Sequence, residues 1–458
     1  MNLKWTDSLS SGMPDELLRL KYSGYFDEFK ERSKYHLSRP DLPDVVKQRL
    51  ELELYKIEGL KKAYIIDEDE LFESLCEFLP GFTRDDFEKL RPDFDWIFVE
   101  GEKKYVNFSL RALFLASPML RDWPGSTYEY SDNSAVEKSV SQMIETGKAS
   151  VEAEVMMYCD VDCDESKGNE LRVHMPYPNV DGYGLKSVEL IDSSHDGRFS
   201  DYGFHQNTYF MQDSFIESDY KNFWVKFKTV TETDYMSFDK LSASYKPGEY
   251  ACAVRESDLG EKVPGFVFSP FIKALSEKIV GKETDKLKIA KKIYDYIVVN
   301  YEYSYVRDYA LLDSLGEYFA LRGRGDCGLQ TSLFITLCRY NTIPARWQSG
   351  IVLGNDGGGV HDWACIYIDG IGYRPVDCSY GAHGRFCKNL TLQEFYFGNV
   401  DPYRVPFNTD VQQEFDPPKN FYRYDPYDNQ YGEVETDVMQ VPESKVNMGR
   451  NILKCKQY

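Results

Sequence analysis

The sequence has no long apolar run and no excess of positive charge, and its first residues are not expected to act as a secretory signal. In 458 residues no window of about 20 apolar residues occurs, so no segment is expected to span a membrane. The stretch MNLKWTDSLSSGMPDELLRL lacks a basic region followed by an apolar one, and we therefore expect a cytoplasmic protein. The formal net charge of −21 disfavours nucleic acid and anionic membrane surfaces as partners, because like charges repel.

The cysteines do not have the regular spacing of a disulfide-bonded domain, and histidines are few. The ten cysteines are scattered along the chain, which in a reducing compartment favours free, buried thiols. Cys159 and Cys163 form a C-x3-C motif, but no second pair of ligands follows it, so neither a metal nor another cofactor is expected. The six histidines leave few candidates for a catalytic base.

Apolar periodicity divides the chain into four regions. Residues 1–120 have mainly helical spacing, followed by the hairpin pattern WIFVEGEKKYVNFS. Residues 121–266 contain short alternating segments that are typical of a β-sandwich. Residues 267–405 return to helices, the first in TDKLKIAKKIYDYIVVNYEY with Thr284 as its predicted cap, and then to strands. Residues 406–458 form a C-terminal extension with one possible strand in GEVETDVMQV. This order predicts an α+β fold class.

The stretch RGRGDCGLQTSLFITLCRY places Cys327 at the start of an apolar helix. Asp326 can cap that helix, which leaves the thiol beside unpaired backbone N–H groups at the positive end of the helix dipole. The flanking glycines allow a substrate to approach, and the Cys327 N–H can form half of an oxyanion hole. Cys338 lies mid-helix and fits a buried structural thiol. We therefore predict that Cys327 is a nucleophile.

A thiol nucleophile needs a base, and the base needs an orienting partner. His361 opens the strand HDWACIYI after GNDGGGV, which we interpret as an active-site flap; His383 in YGAHGRFC is the rival base. Asp362 should point to the opposite face from His361, because neighbours on a strand alternate. Asp377 is the better partner: if the DGIG turn is centred on Asp369, Asp377 faces His361 across the hairpin.

The segments RGRGDCGLQTSLFITLCRYNTIPAR, HDWACIYI and GYRPVDCS together resemble the core of the transglutaminase-like superfamily, in the bacterial branch named as cysteine proteases. The resemblance implies a papain-like α+β core, with helices packed on an antiparallel sheet. It also implies a catalytic triad in chain order, with Cys327 as nucleophile, His361 as base and Asp377 as orienting acid. The first 120 residues and the C-terminal extension resemble no family.

Further site residues are predicted around the triad. Relatives use an aromatic or amide side chain as second oxyanion donor, and Tyr303 and Tyr305 in YEYSY are the candidates, with packing at a helix end as the alternative. Trp363 and Gly358 are candidates for the substrate wall.

The predicted function is cysteine-dependent acyl transfer on amide bonds of a peptide or protein. Hydrolysis by a peptidase, amidase or deamidase is favoured because water is the default acceptor. Crosslinking to an amine and a non-catalytic peptide- or glycan-binding scaffold are the alternatives; the presence of all three triad members favours an enzyme. Relatives often have an acidic residue at the position of Cys365 and a tryptophan at that of Tyr373, so the specificity is expected to differ.

Overall fold

The computed structural model describes residues 5–90, 94–128, 134–163, 169–201, 203–213, 220–248, 254–354 and 358–458. Within these ranges, no helix is both long and apolar enough to cross a membrane. The predicted flap GNDGGGV lies partly outside the described residues, at 355–357.

The α-helices of the described chain are α1 (Trp5–Ser8), α2 (Asp15–Ser23), α3 (Phe26–Leu37), α4 (Asp44–Ala63), α5 (Glu68–Phe78), α6 (Arg84–Lys89), α7 (Ser109–Ala116), α8 (Pro118–Arg121), α9 (Ser134–Thr146), α10 (Phe238–Ser244), α11 (Pro270–Val280), α12 (Lys286–Asn300), α13 (Leu315–Arg322), α14 (Cys327–Tyr340), α15 (Cys378–Phe386) and α16 (Leu390–Phe395). The β-strands are β1 (Tyr64–Ile66), β2 (Trp96–Val99), β3 (Glu102–Val106), β4 (Lys148–Asp162), β5 (Leu171–Pro176), β6 (Leu185–Ser193), β7 (Gly197–Phe199), β8 (Thr208–Asp213), β9 (Tyr220–Asp234), β10 (Glu302–Tyr303), β11 (Arg324–Gly325), β12 (Ala345–Val352), β13 (Gly359–Ile368), β14 (Gly372–Val376), β15 (Arg404–Asn408), β16 (Glu433–Thr436) and β17 (Val446–Gln457).

The chain forms two compact units. The first comprises Met1–Asp132, Tyr301–Asp313 and Leu321–Asp326; the second comprises Asn133–Asn300, Ser314–Ala320 and Cys327–Tyr458. The second unit therefore contains most of the predicted sandwich, most of the predicted α+β region and the C-terminal extension. As domain boundaries, the four ranges stay predictions.

The first unit is mainly helical, with one small sheet in the order β1-β3-β2. Strands β2 and β3 pair as an antiparallel hairpin, with Trp96 opposite Tyr105, as the sequence pattern predicts. Helices α5 and α6 both begin with a capping box, because Asp67 and Thr83 each accept a hydrogen bond from the backbone three residues later.

The second unit contains a β-sandwich made of the sheets β17-β4-β9-β6 and β16-β5-β8-β7. Long alternating strands supply its core, because every second residue of β4 and β9 is buried. Cys159 and Cys163 are buried in this core. Residues from both sheets share it: Val155, Met157, Val173, Met175, Val225, Phe227 and Val434.

A second antiparallel sheet, β14-β13-β12-β15, supports the candidate site. Helix α14 packs against β12 and β13 on one side and against α11, α12 and α15 on others. All of its residues from Cys327 to Arg339 are consequently buried. This burial agrees with the apolar run that follows Cys327 in the sequence, and it fixes the backbone that carries Cys327.

The β13–β14 hairpin is centred on Gly370, so the predicted centre at Asp369 is wrong. Ala364 faces Val376, and Ile368 faces Gly372. Gly370 has a φ of +86°, which glycine adopts without steric cost and which allows the tight turn. The change moves each facing partner by two positions, and therefore keeps every side chain on its predicted face of the sheet.

The predicted cap of α12 is also corrected. Asp285, one residue after Thr284, accepts hydrogen bonds from the backbone N–H groups of Leu287 at 3.0 Å and Lys288 at 3.2 Å. Helix α12 begins at Lys286. An aspartate side chain satisfies these exposed donors and also complements the positive end of the helix dipole.

Candidate active site

The structure joins two of the predicted site residues directly. His361 Nε2 lies 2.7 Å from Asp377 Oδ2, and both side chains are buried. His361 lies near the start of β13, and Asp377 follows the end of β14. The hairpin register makes them diagonal rather than facing neighbours on one side of the sheet. Because Nε2 is occupied by Asp377, Nδ1 is the ring nitrogen that can exchange a proton with a nucleophile.

Arg404 on β15 also contacts the carboxylate of Asp377, on the oxygen that contacts His361. Its Nη1 lies 2.5 Å from Asp377 Oδ2, and its Nε and Nη2 each lie 3.1 Å from Asp401 Oδ2. The guanidinium carbon also lies 4.3 Å from the centroid of the Tyr380 ring. Arg404 is thus a buried cation between two carboxylates, and it fixes the position of the one that contacts His361.

Asp377 has a second structural task as the N-cap of α15. Its Oδ1 accepts hydrogen bonds from the Tyr380 backbone N–H at 2.9 Å and from the Ser379 hydroxyl at 3.0 Å. Oδ1 therefore caps the helix, and Oδ2 contacts His361 and Arg404. This division of the two oxygens restricts rotation of the side chain.

The surroundings of the pair lower the pKa values of both His361 and Asp377. Burial lowers the pKa of His361, and Arg404 acts in the same direction, while Asp377 opposes both. Burial alone would raise the pKa of Asp377, but His361 and Arg404 hold it well below its ordinary range. At neutral pH the site therefore combines an ionised Asp377 with a neutral imidazole, which is the form that can accept a proton.

Cys327 is the first residue of α14, as the sequence predicts, and its thiol contacts a carboxyl group. The Cys327 Sγ–H donates to Asp362 Oδ2 over 3.2 Å, and both residues are buried. A carboxylate at this distance disfavours the thiolate and so opposes the effect of the helix N-terminus. The predicted contact of Cys327 with His361 stays a prediction.

Asp362 belongs to a polar group that includes residues of the C-terminal extension. Its carboxyl group is hydrogen-bonded to that of Asp428, and Gln430 Nε2 donates to Asp362 Oδ1 over 3.1 Å. Burial raises the pKa of Asp428, and Trp347 Nε1 donates to its Oδ2 over 3.3 Å. Two buried carboxyl groups in hydrogen-bond contact share one proton, so a proton is held next to the thiol.

The rival base lies in a different group of side chains. His383 is on α15, and its Nε2 lies 3.4 Å from Cys387 Sγ. The two oxyanion candidates belong to the first unit, in which the Tyr303 and Tyr305 rings meet edge to face at 6.3 Å and Arg111 lies over Tyr305 at 3.9 Å. Their role as oxyanion donors stays a prediction.

Trp363 is fully buried, and its ring packs near that of His361. Its ring lies nearly parallel to that of His361, with centroids 6.2 Å apart, and its Nε1 donates to Gln348 Oε1 over 3.0 Å. The Cys365 thiol donates to the same oxygen over 3.2 Å. Tyr373 donates its hydroxyl to Asp258. A substrate-wall role for Trp363 stays a prediction.

Gly358 is required by the backbone. Its φ is +66°, and a Cβ at this position would overlap the carbonyl oxygen of Val352 on the neighbouring strand. Its own carbonyl accepts a hydrogen bond from Arg450 Nη2 at 2.6 Å. These contacts are a sufficient reason for glycine here, and a substrate-wall role for Gly358 stays a prediction.

Four residues around the triad were missed by sequence reasoning: Asp362 as a thiol partner, Arg404, Asp428 and Gln430. Arg404 lies 27 residues after Asp377 in the chain, and nothing in its local sequence pairs the two residues. Asp428 and Gln430 lie in an irregular segment whose sequence contains no catalytic spacing. Only the fold brings them to the thiol.

Comparison with known proteins identifies one part of the chain. Residues 273–378 match the model of the Transglutaminase-like superfamily. The predicted resemblance is thereby confirmed for this segment, and so is the α+β fold class. A cysteine-dependent enzyme is the general class that the match supports.

Three individual proteins are similar over longer stretches. An uncharacterised protein of Haemophilus influenzae is 31% identical over 172 residues, which covers 30% of this chain and 46% of the relative; the chain thus spans about half the length of that relative. The crystal structure of a "Putative Cysteine Protease" from Cytophaga hutchinsonii aligns with a TM-score of 0.44 and 14% identity, over 68% of this chain and 91% of the other. The periplasmic domain of TgpA from Pseudomonas aeruginosa aligns with a TM-score of 0.29 and 10% identity, over 56% and 96%.

Proposed function

We propose that this protein is a cysteine hydrolase that cleaves amide bonds of a peptide or protein through a thioester. The observation that carries the proposal is the buried His361–Asp377 hydrogen bond of 2.7 Å, which lies in the same compact unit as a cysteine that opens a buried helix. A neutral base with a fixed, ionised partner is what general-base activation of a thiol requires. We retain the cytoplasm as the predicted compartment.

In the first half of the reaction, His361 Nδ1 takes the proton of Cys327. The sulfur then attacks the amide carbonyl, the S–C bond forms, and the C–N bond breaks as the imidazolium protonates the leaving amine. The product is a thioester on Cys327. Asp377 keeps the imidazole oriented and stabilises its charge while the proton is held there.

In the second half, water replaces the amine. His361 takes a proton from the water as its oxygen attacks the thioester carbonyl, the C–O bond forms and the S–C bond breaks, and the imidazolium returns the proton to the sulfur, so that acid and free enzyme are released. The Asp362–Asp428 pair favours a neutral thiol at rest. Proton transfer to His361 is then coupled to the attack on the substrate rather than completed before binding.

The test is a screen of a peptide library, followed by kinetics of single variants on the best substrate. Cys327→Ala is expected to abolish turnover, and His361→Ala to cost nearly as much, because residues that act as one unit are not additive. Asp377→Asn is expected to lose less than either, and the Cys327→Ala/His361→Ala double variant to be no worse than Cys327→Ala.

The control is a measurement of the helical and sheet content of each variant by circular dichroism. Wild-type turnover by a folded Cys327→Ala protein would contradict the thiol mechanism. If Asp377→Asn keeps wild-type turnover while Asp362→Asn loses most of it, Asp362 rather than Asp377 is the partner of the proposed base.

Amine transfer is the second candidate reaction, because the same thioester can be attacked by an amine instead of water. Adding a primary amine to the assay distinguishes the two. Hydrolysis predicts free acid as the main product, whereas crosslinking predicts the amide of the added amine.

A further inference from the structure

Three side chains of different chemistry converge outside the triad. Glu137 lies on α9, and His383 and Cys387 lie one turn apart at the end of α15. A carboxylate oxygen, a ring nitrogen and a thiol sulfur from these residues all lie within 4.8 Å of one another. The cluster lies within the described part of the second unit and uses no residue of the proposed mechanism.

The cluster has the chemistry and the spacing of a zinc site. Thiolate, imidazole and carboxylate are the three side-chain ligands that zinc takes in proteins. With Zn–S about 2.3 Å and Zn–N about 2.0–2.1 Å, a tetrahedral angle separates sulfur and nitrogen by roughly 3.5 Å. Cys387 Sγ lies 3.4 Å from His383 Nε2 and 3.9 Å from Nδ1, so the separation of sulfur and nitrogen fits a shared ion, and a rotation of the imidazole ring aims the Nε2 lone pair at it.

The charges around the thiol also favour a cation. Glu137 places a carboxylate oxygen beside the Cys387 sulfur. A divalent cation at the centre of the cluster would convert the repulsion between Glu137 and a Cys387 thiolate into attraction by both.

We propose that Glu137, His383 and Cys387 bind a zinc ion, with water as the fourth ligand. The ion joins α9 to the C-terminal end of α15. The N-terminal end of the same helix is capped by Asp377. The bound ion would therefore stabilise the end of α15 opposite to Asp377, the residue that orients the proposed base His361. The zinc site does not depend on the proposed reaction.

Cobalt(II) is the probe, because it occupies zinc sites and reports its ligands by absorption. The tag-free Cys327→Ala protein is titrated, so that neither a histidine tag nor the proposed nucleophile contributes. We expect saturation at one equivalent, with a thiolate-to-cobalt charge-transfer band and the intense visible bands of a four-coordinate site. Zinc should displace the cobalt and raise the melting temperature.

Ligand variants in the same background complete the test. Cys387→Ser should abolish the charge-transfer band, and Glu137→Gln and His383→Gln should each weaken binding at least tenfold. Cys455→Ser is the matched control, because Cys455 is also an exposed thiol but lies on β17 outside the cluster; it should bind like the parent. Absence of the charge-transfer band in the parent, or its retention in Cys387→Ser, would overturn the proposal.

Discussion

At the scale of single residues, the environment of each thiol determines how reactive it is. Burial raises the pKa of Cys338 and Cys378 well above the ordinary value for a thiol and that of Cys365 to about 12. Cys327 and Cys378 each open a helix, but Cys378 follows the Asp377 carboxylate, whose negative charge raises the pKa of that thiol further. We predict that Cys327 is alkylated by iodoacetamide at least tenfold faster than the other three at pH 7.5, since thiolate fraction sets the rate.

Peptide mapping by mass spectrometry after limited labelling measures these rates side by side. The exposed Cys76 serves as an internal reference for an accessible thiol. Labelling of Cys327 as slowly as Cys338 would contradict the assignment of the nucleophile.

The contact with Asp362 leads to a second prediction at this scale. Asp362→Asn removes the carboxyl group whose Oδ2 accepts the Cys327 Sγ–H at 3.2 Å, and it breaks the carboxyl pair with Asp428. Without this acceptor the neutral thiol is less favoured, so alkylation of Cys327 at neutral pH should accelerate several-fold. The measurement is the alkylation rate of Cys327 as a function of pH.

Asp239→Asn is the control, because it makes the same change of net charge at an exposed position on α10. Its alkylation profile should match the wild type. An unchanged or slower rate in Asp362→Asn would show that the carboxyl group does not restrain the thiol.

The His361–Asp377 contact and the helix that begins at Cys327 were predictable from the sequence, whereas their surroundings were not. A cysteine at a helix start and a histidine at a strand start are local patterns, and a short hairpin relates Asp377 to His361. Asp428 and Gln430 reach Asp362 across more than 60 positions of the chain, and Arg404 reaches Asp377 across 27. Contacts of this kind depend on tertiary packing, for which a single sequence contains no periodic signal.

At the scale of elements, the β12–β13 connection depends on one backbone conformation. We predict that Gly358→Ala lowers the free energy of unfolding by about 2 kcal/mol or more, because alanine is strained at φ +66° and its Cβ overlaps the Val352 carbonyl. Urea unfolding followed by circular dichroism measures the change.

Gly359→Ala is the matched control. No heavy atom lies within 4 Å of a Cβ built at Gly359, so the neighbouring substitution should cost less than about 1 kcal/mol. Equal stability of the two variants would contradict the backbone explanation for Gly358.

Most elements were predictable because their patterns are strong, and the exceptions have identifiable causes. Strands β12, β13 and β14 lie where the apolar runs predict them, and β16 lies within GEVETDVMQV. The hairpin centre differed because Gly370, not Asp369, adopts the left-handed conformation. Strand β17 was missed because it is an edge strand with mostly exposed side chains, which leave little alternation to detect.

At the scale of the whole molecule, a buried histidine should make stability depend on pH. His174 is fully buried in the sandwich, with its ring 4.6 Å from that of Phe415 and 4.7 Å from that of Phe210. Burial lowers its pKa well below the ordinary value, and nearby Lys419 and Arg172 act in the same direction. The folded state therefore excludes a proton that the unfolded chain binds below about pH 6.5.

This difference in proton binding determines how the free energy of unfolding changes with pH. As pH falls below about 6.5, the free energy of unfolding should decrease, and His174 should contribute about 1.4 kcal/mol per pH unit. In the His174→Leu protein the slope between pH 6 and pH 5 should be shallower by about this amount. Urea midpoints at several pH values measure the slope.

Thr229→Val is the comparison variant, because Thr229 is buried in the same unit but does not titrate in this range. It is expected to change the stability without changing the slope. Identical slopes in wild type and His174→Leu would contradict the prediction.

The pairing of β17 with β4 also has a consequence for biosynthesis. Val446 pairs with Val161, so one edge of β4 stays unpaired until β17 has been translated, 285 residues later. At about 5–20 residues per second, that wait lasts roughly 15–60 s. During this interval the edge of β4 that later pairs with β17 has unpaired backbone N–H and C=O groups. Asp428 and Gln430 also leave the ribosome after all three triad residues, so the thiol acquires its complete surroundings late, when the sandwich is about to close.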